Sequence, residues 1–179
     1  TTLDTGYVTL LDTGVSRAHP LIAPVLASAD RHAADPAWSL DDVKGHGTQL
    51  AGLALFGDLT TSLQSTQPVT VGHRLESVKL MPDAGVNPHH LLGVMTRNAI
   101  NAVELTARRR TFTMAATTDE DTPHDGAPTS WSTEVDQLAA GVSGNLSENR
   151  LILVSAGNTD NYKRRSKNVP LTGLDEVRS

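Results

Sequence analysis

The hydrophobic period of this chain switches repeatedly between that of a strand and that of a helix, and this alternation restricts the fold more than any other property. Residues 7–11 form a short apolar run rich in strand formers that ends at Asp12-Thr13-Gly14, a strand leading into a turn. Residues 47–57, GTQLAGLALFG, are apolar on nearly every side and bounded by glycines, which suits a short buried helix. Residues 69–71 and 75–80 read as extended segments closed by Met81-Pro82. Asn87-Pro88 then opens a helix whose inner face is Leu92, Met95, Ala99, Ala102, Val103 and Thr106. Residues 111–116 form a further strand. Ser130 caps a second helix with core face Val135, Leu138, Ala139 and Val142, ended by Gly141 or Gly144. LILVS, residues 151–155, is an aliphatic run of the kind buried in parallel sheets. Strand and helix in alternation predict an α/β fold. Residues 15–45 read as irregular, and the chain turns polar and patternless after Asn158. An ordered domain over 1–158 and an irregular polar tail over 159–179 are therefore expected.

Composition narrows the function classes. At 179 residues, 38% apolar and 20% charged, the chain can bury one globular core. A net charge of −5 argues against a general nucleic-acid role. Arg108-Arg109-Arg110 reads as a solvated helix C-terminus and Lys163-Arg164-Arg165 as a solvated loop. No run of 18 apolar residues is present, so no membrane span is expected, and no signal peptide opens the given chain. The compartment stays open, with a slight lean toward the cytoplasm over secretion. Without cysteine there is neither a disulfide framework nor a thiolate zinc site.

Leu-Asp-Thr-Gly occurs twice, at 3–6 and 11–14. In open α/β sheets functional groups lie just past the carboxyl ends of strands. Asp12 meets that condition, whereas Asp4 has no strand before it and reads as a turn residue. LLDTGVS is similar to the active-site turn of retroviral-type aspartic proteases, in which two aspartates share a proton. Two copies eight residues apart cannot supply both halves of that site, and two helices contradict a nearly all-β chain, so this is a remote alternative. In GHGTQLAG, His46 stands between two glycines at a helix start, where the missing side chains let other groups reach the imidazole. LILVSAGN places the amide of Asn158 past a strand end, where it can donate to a developing oxyanion. Taken singly, each has a bland reading: a structural histidine, or an ordinary Gly-Asn turn.

Together, LLDTGVSRAHPLI, GHGTQLAGLALFG and LILVSAGN resemble the subtilisin-like serine proteases, the subtilases, in that family's order. The resemblance implies a three-layer fold with a mostly parallel sheet and helices on both faces, incomplete here. It implies a Ser-His-Asp endopeptidase in which Asp12 orients His46, His46 is the general base, and Asn158 is the oxyanion donor. Ser155, Ala156 and Gly157 would form the wall of the pocket for the residue before the scissile bond, with a polypeptide as substrate. TSWSTEVDQLA is similar to a bacterial branch of the family, which implies an AAA-type ATPase partner.

One departure is decisive for mechanism: the family's nucleophile lies in Gly-Thr-Ser, and these 179 residues contain none. Gln49 also replaces the second histidine of His-Gly-Thr-His, and TFTMAATT lacks Ser-Leu-Gly. The chain as given is expected to be inactive, as the N-terminal part of a subtilase whose exposed sheet could self-associate. The alternative is a degenerate, non-catalytic binding or regulatory domain. No cofactor is required. Subtilases commonly bind calcium, so the resemblance leaves calcium open, but no clear motif supports it: Asp119-Glu120-Asp121 with Asp125 does not match an EF-hand loop and reads as a solvated loop.

Overall fold

A computed structural model describes residues 5–117 and 127–156. In chain order the elements are β1 (Tyr7–Asp12), β2 (Arg31–Ala33), α1 (His46–Phe56), the single turn α2 (Thr60–Leu63), β3 (Arg74–Lys79), α3 (Leu92–Val103), β4 (Arg110–Met114), α4 (Ser130–Ala139) and β5 (Ile152–Val154). The strands form one five-stranded sheet in the order β2-β3-β1-β4-β5, with every pairing parallel. This is the α/β architecture that the alternation predicts.

The period of two along β1 divides the core. Leu11 joins Val78, Phe112 and Met114 beneath Ala99, Ile100 and Val103 of α3 and Leu138 of α4. Val8 and Leu10 turn to the opposite face, where Ala51 and Leu55 of α1 meet Val15, Ile22 and Leu26. Helices thus cover both faces, each large buried side chain contributing about 1.5–3 kcal/mol. Asp12 shares the parity of Val8 and Leu10, so the strand's own alternation turns it toward α1.

Several local expectations are corrected. Residues 69–71 pair with nothing in the sheet, and β3 begins only at Arg74. Asn87 is not a helix cap: it is buried and donates its amide to the Leu80 carbonyl at 2.7 Å, while a 3-10 turn over His89–Leu91, directly after Pro88, leads into α3. The cap of α4 is Thr129 rather than Ser130, in a reciprocal capping box with Ser132. Val142 is 78% exposed, because Gly141 at φ +70 has already turned the chain out of the helix. β2 lies inside the stretch read as irregular. Asp4, the acidic run at 119–125, Gly157, Asn158 and the basic run at 163–165 fall outside the described residues.

Candidate active site

The site is assembled where β1 ends and α1 begins. Asp12 is the last residue of β1 and nearly fully buried. Its carbonyl is fixed by the N–H groups of Leu80 at 2.6 Å and Met81 at 3.2 Å, just past the end of β3. Its carboxylate oxygen Oδ1 accepts the N–H of Thr13 at 2.7 Å. His46 Nδ1 lies 2.8 Å from that same oxygen. A carboxylate can only accept, so the contact requires the proton on Nδ1 and leaves the lone pair of a neutral ring on Nε2. The His46 side chain is 52% exposed while that of Asp12 is 3% exposed.

Glycines permit this approach. Gly45, at φ +81, turns the chain into α1. A Cβ on Gly47 would lie 2.1 Å from the Gly14 carbonyl oxygen and 3.2 Å from Asp12 Oδ1, so the helix could not come this close with any side chain there. Gly14 itself, at φ +94, lies against the carbonyls of Leu40 and Asp41.

A second carboxylate, Asp42, stitches the two elements together. Its Oδ1 accepts Thr13 Oγ1 at 2.9 Å and the Gly45 N–H at 2.8 Å. Its Oδ2 accepts the Thr48 N–H at 2.8 Å and hydroxyl at 2.6 Å. The Gly47 N–H is taken by Thr13 Oγ1 at 2.9 Å. Gly45, the residue preceding α1, brings no side-chain cap of its own, and Asp42 and Thr13 fill that role from outside the helix. Burial pushes the Asp42 carboxyl up, but the bonds from Thr48, Thr13 and Gly45 outweigh it and hold the group below the usual aspartate range. Nothing in the sequence reading assigns Asp42 this part. The available signal is an aspartate three residues before the helix-opening glycine, a spacing at which carboxylates bond forward to backbone N–H groups.

Ser155 and Ala156 follow β5 and are exposed. The Ser155 N–H donates to the Met114 carbonyl at 3.0 Å, extending the β4–β5 ladder by one bond. They therefore stand at the same carboxyl end of the sheet as Asp12, two strands away, about 10 Å at the usual strand spacing. Val154 lines a cleft of about 250 Å³ with Met114, Ala116, Trp131 and Val135. Gly157 and Asn158 lie beyond the described residues. Among the described residues no group of three or more His, Asp or Glu could hold a metal ion, and no helix is long and apolar enough to cross a membrane.

The family model of the subtilases, peptidase family S8, matches residues 4–172. The chain belongs to the subtilase family. Subtilases are serine proteases, so the fold described above is that of a serine-protease domain whose substrate class is polypeptide. No curated protein and no solved structure matches the chain. The parallel α/β sheet of this subtilase domain removes the aspartic-protease reading, since Asp12 faces a histidine and sits in a parallel sheet rather than an all-β cleft.

Proposed function

We propose that Asp12 and His46 are the orienting acid and the general base of a Ser-His-Asp endopeptidase, with the nucleophile outside these 179 residues. The observation that carries this reading is the 2.8 Å contact between His46 Nδ1 and the buried Asp12 carboxylate. Asp12 would hold the imidazole in one tautomer and stabilise the imidazolium that forms when Nε2 takes a serine proton. The exposure of the ring leaves Nε2 reachable by an incoming hydroxyl. Thr13 and Asp42 are positioning residues in this scheme: they fix the first turn of α1 against the end of β1, and so set the ring's distance from Asp12.

The remaining roles rest on the resemblance. Asn158 is proposed as the oxyanion donor, with Ser155, Ala156 and Gly157 as the wall beside the residue before the scissile bond. Calcium is assigned no part in the mechanism. Groups of a triad act as a unit, so without a serine the others retain little of the rate enhancement. The 179-residue chain alone is expected to hydrolyse no peptide bond. The second reading, a degenerate binding or regulatory domain, is favoured by one observation only, the lack of Gly-Thr-Ser.

Treatment of the chain with a fluorophosphonate probe, followed by intact-mass analysis, tests the proposal. No adduct is expected. An adduct on any serine, including Ser130 or Ser166, would show that these residues contain a working nucleophile and would overturn the assignment.

A further inference from the structure

Lys79 is the largest fully enclosed side chain among the described residues, and the chemistry assigned to Asp12 and His46 gives it no task. It closes β3, directly beside Asp12 in the parallel register. Registered residues of neighbouring strands turn to the same face, as Val8 and Leu75 do in the core beneath α1. Lys79 therefore leaves the sheet on the α1 side, next to the Asp12 side chain. An ammonium taken out of water is costly unless its protons find acceptors. An unbranched apolar side chain of similar length would fill this space without that cost.

The acceptors point to what the charge holds. Nζ donates to the Asp41 carbonyl oxygen at 2.5 Å and to the Asp83 carboxylate on the loop after β3. That carbonyl belongs to the peptide joining Asp41 to Asp42. The same oxygen lies against Gly14, where a Cβ would come within 3.3 Å of it. The peptide is thus clamped between the turn after Asp12 and the Lys79 ammonium. The other hold on Asp41 is its side-chain pair with Arg31, in which the carboxylate is 72% exposed. Exposed pairs of that kind contribute little. Asp42 follows at once, and its two oxygens take the N–H groups of Gly45 and Thr48 and the hydroxyls of Thr13 and Thr48. His46 is the first residue of α1, so its ring moves with that turn. Its contact with Asp12 is a hydrogen bond, which weakens steeply outside a narrow range of length and angle.

We infer that Lys79 is a positioning residue for the catalytic pair: by holding the Asp41 carbonyl it places Asp42, and through Asp42 the first turn of α1, so that His46 Nδ1 meets Asp12. The inference rests on the reading of Asp12 and His46 as that pair. Lys79 acts through the Asp41 peptide and has no part in proton transfer. A lysine serving stability alone would change the unfolding midpoint when replaced and leave the His46 ring as it is in the molecules that stay folded.

The test compares Lys79→Met with Glu76→Gln, a change to a buried charge on the same strand, in the isotope-labelled 179-residue chain. Lys79→Met keeps the packing of the stem and removes the charge and its donors. Its urea midpoint is expected to stay close to that of the unaltered chain, since Asp83 is 35% exposed and can turn to water. The ratio of the Nδ1-protonated to the Nε2-protonated His46 tautomer, read from ring nitrogen shifts, is expected to fall about fivefold, the worth of one net hydrogen bond. The Gly45 and Thr48 amide protons, which donate to Asp42, should exchange with solvent about tenfold faster as that segment opens locally. Glu76→Gln is expected to do the reverse, lowering the urea midpoint and leaving the tautomer ratio intact. Asp83→Ala removes one anchor of the ammonium and should shift the ratio in the same direction as Lys79→Met; it decides the matter if Lys79→Met does not fold. An unchanged ratio in Lys79→Met, or in Asp83→Ala where that variant decides, would overturn the positioning role. An equal fall in Glu76→Gln would overturn it too, because general loosening would then account for the effect. Absence of the Nδ1-protonated tautomer from the unaltered chain overturns the catalytic pair and the positioning role with it; its presence there and in Lys79→Met alike overturns the positioning role alone.

Discussion

The two ends of the same strands each carry a buried carboxylate held by hydrogen bonds, and they differ in what is left over. Toward the amino end, Glu76 on β3 is 1% exposed and accepts from Thr9 Oγ1 at 2.7 Å, Arg108 at 2.8 Å, and Arg110 Nε and Nη2 at 2.7 and 3.0 Å. Arg108 also reaches Asp30 at 2.6 Å and lies over the Tyr7 ring at 4.4 Å. Charges there are paired and mostly enclosed, which is what a buried ionic cluster needs to be tolerated at all. At the carboxyl end, Asp12 is equally enclosed, but its partner is a half-exposed imidazole rather than an enclosed arginine. A cluster that closes on itself holds the fold together. One that ends in an exposed imidazole is, in the proposed function, arranged to act on something else.

Substitutions sharpen that contrast, the largest effect first. Glu76→Gln leaves Arg110 enclosed without its counter-charge and is expected to destabilise the chain by about 3–5 kcal/mol in urea unfolding, with no effect on the His46 tautomer. A smaller loss would mean that the amino-end cluster is more hydrated than its burial indicates. Gly47→Ala forces α1 away from the Gly14 carbonyl. About 1–3 kcal/mol should be lost, with disruption of the His46–Asp12 contact visible in the ring nitrogen shifts.

Asp42→Asn comes next, at about 1–2 kcal/mol, because hydrogen bonds to a charged acceptor are weakened while the shape is kept. This change also carries a pH signature. The folded-state pKa of Asp42 lies below its unfolded value, so its contribution is present above the ordinary aspartate range and is lost as pH falls through the folded value. The acid limb of the stability profile should flatten in Asp42→Asn, and an unchanged limb would assign the acid sensitivity to other carboxylates. His46→Ala is the mildest. A half-exposed side chain at a helix start should change stability by about 0.5–1 kcal/mol at most, although the proposed chemistry ends with it. A much larger loss would make His46 a structural residue like those around Glu76.

What could be read from the sequence follows the same divide. β1 running into Asp12, and the existence of α1 behind His46 and of β5, are visible because local period and glycine placement determine them; the burial expected of α1 and β5 is not met, since Leu53 is 61% exposed and Leu151, Leu153 and Val154 are 50–59% exposed. Arg108 and Arg110 are misread as solvated, while Arg109 between them is exposed as expected. Their partners Glu76 and Asp30 are 32 and 78 residues from Arg108, and only the β1–β3 and β1–β4 pairings bring them together. Asp42 is passed over for a related reason, since its task depends on Thr13, 29 residues earlier, lying beside the first turn of α1. β2 has three residues and no alternation, and it becomes a strand only because β3 offers an edge. Val142 fits the helical period but lies past the glycine that ends the helix, where the period no longer applies.

The central claim is that Asp12 and His46 form an assembled acid–base pair within these 179 residues, before any serine joins them. Long-range nitrogen–proton correlation of the His46 ring, at a pH where the ring is neutral, tests this most directly. The predicted result is the tautomer protonated on Nδ1, lost in Asp12→Ala and retained in Glu76→Gln. The same tautomer mixture in the unaltered chain and in Asp12→Ala would contradict it.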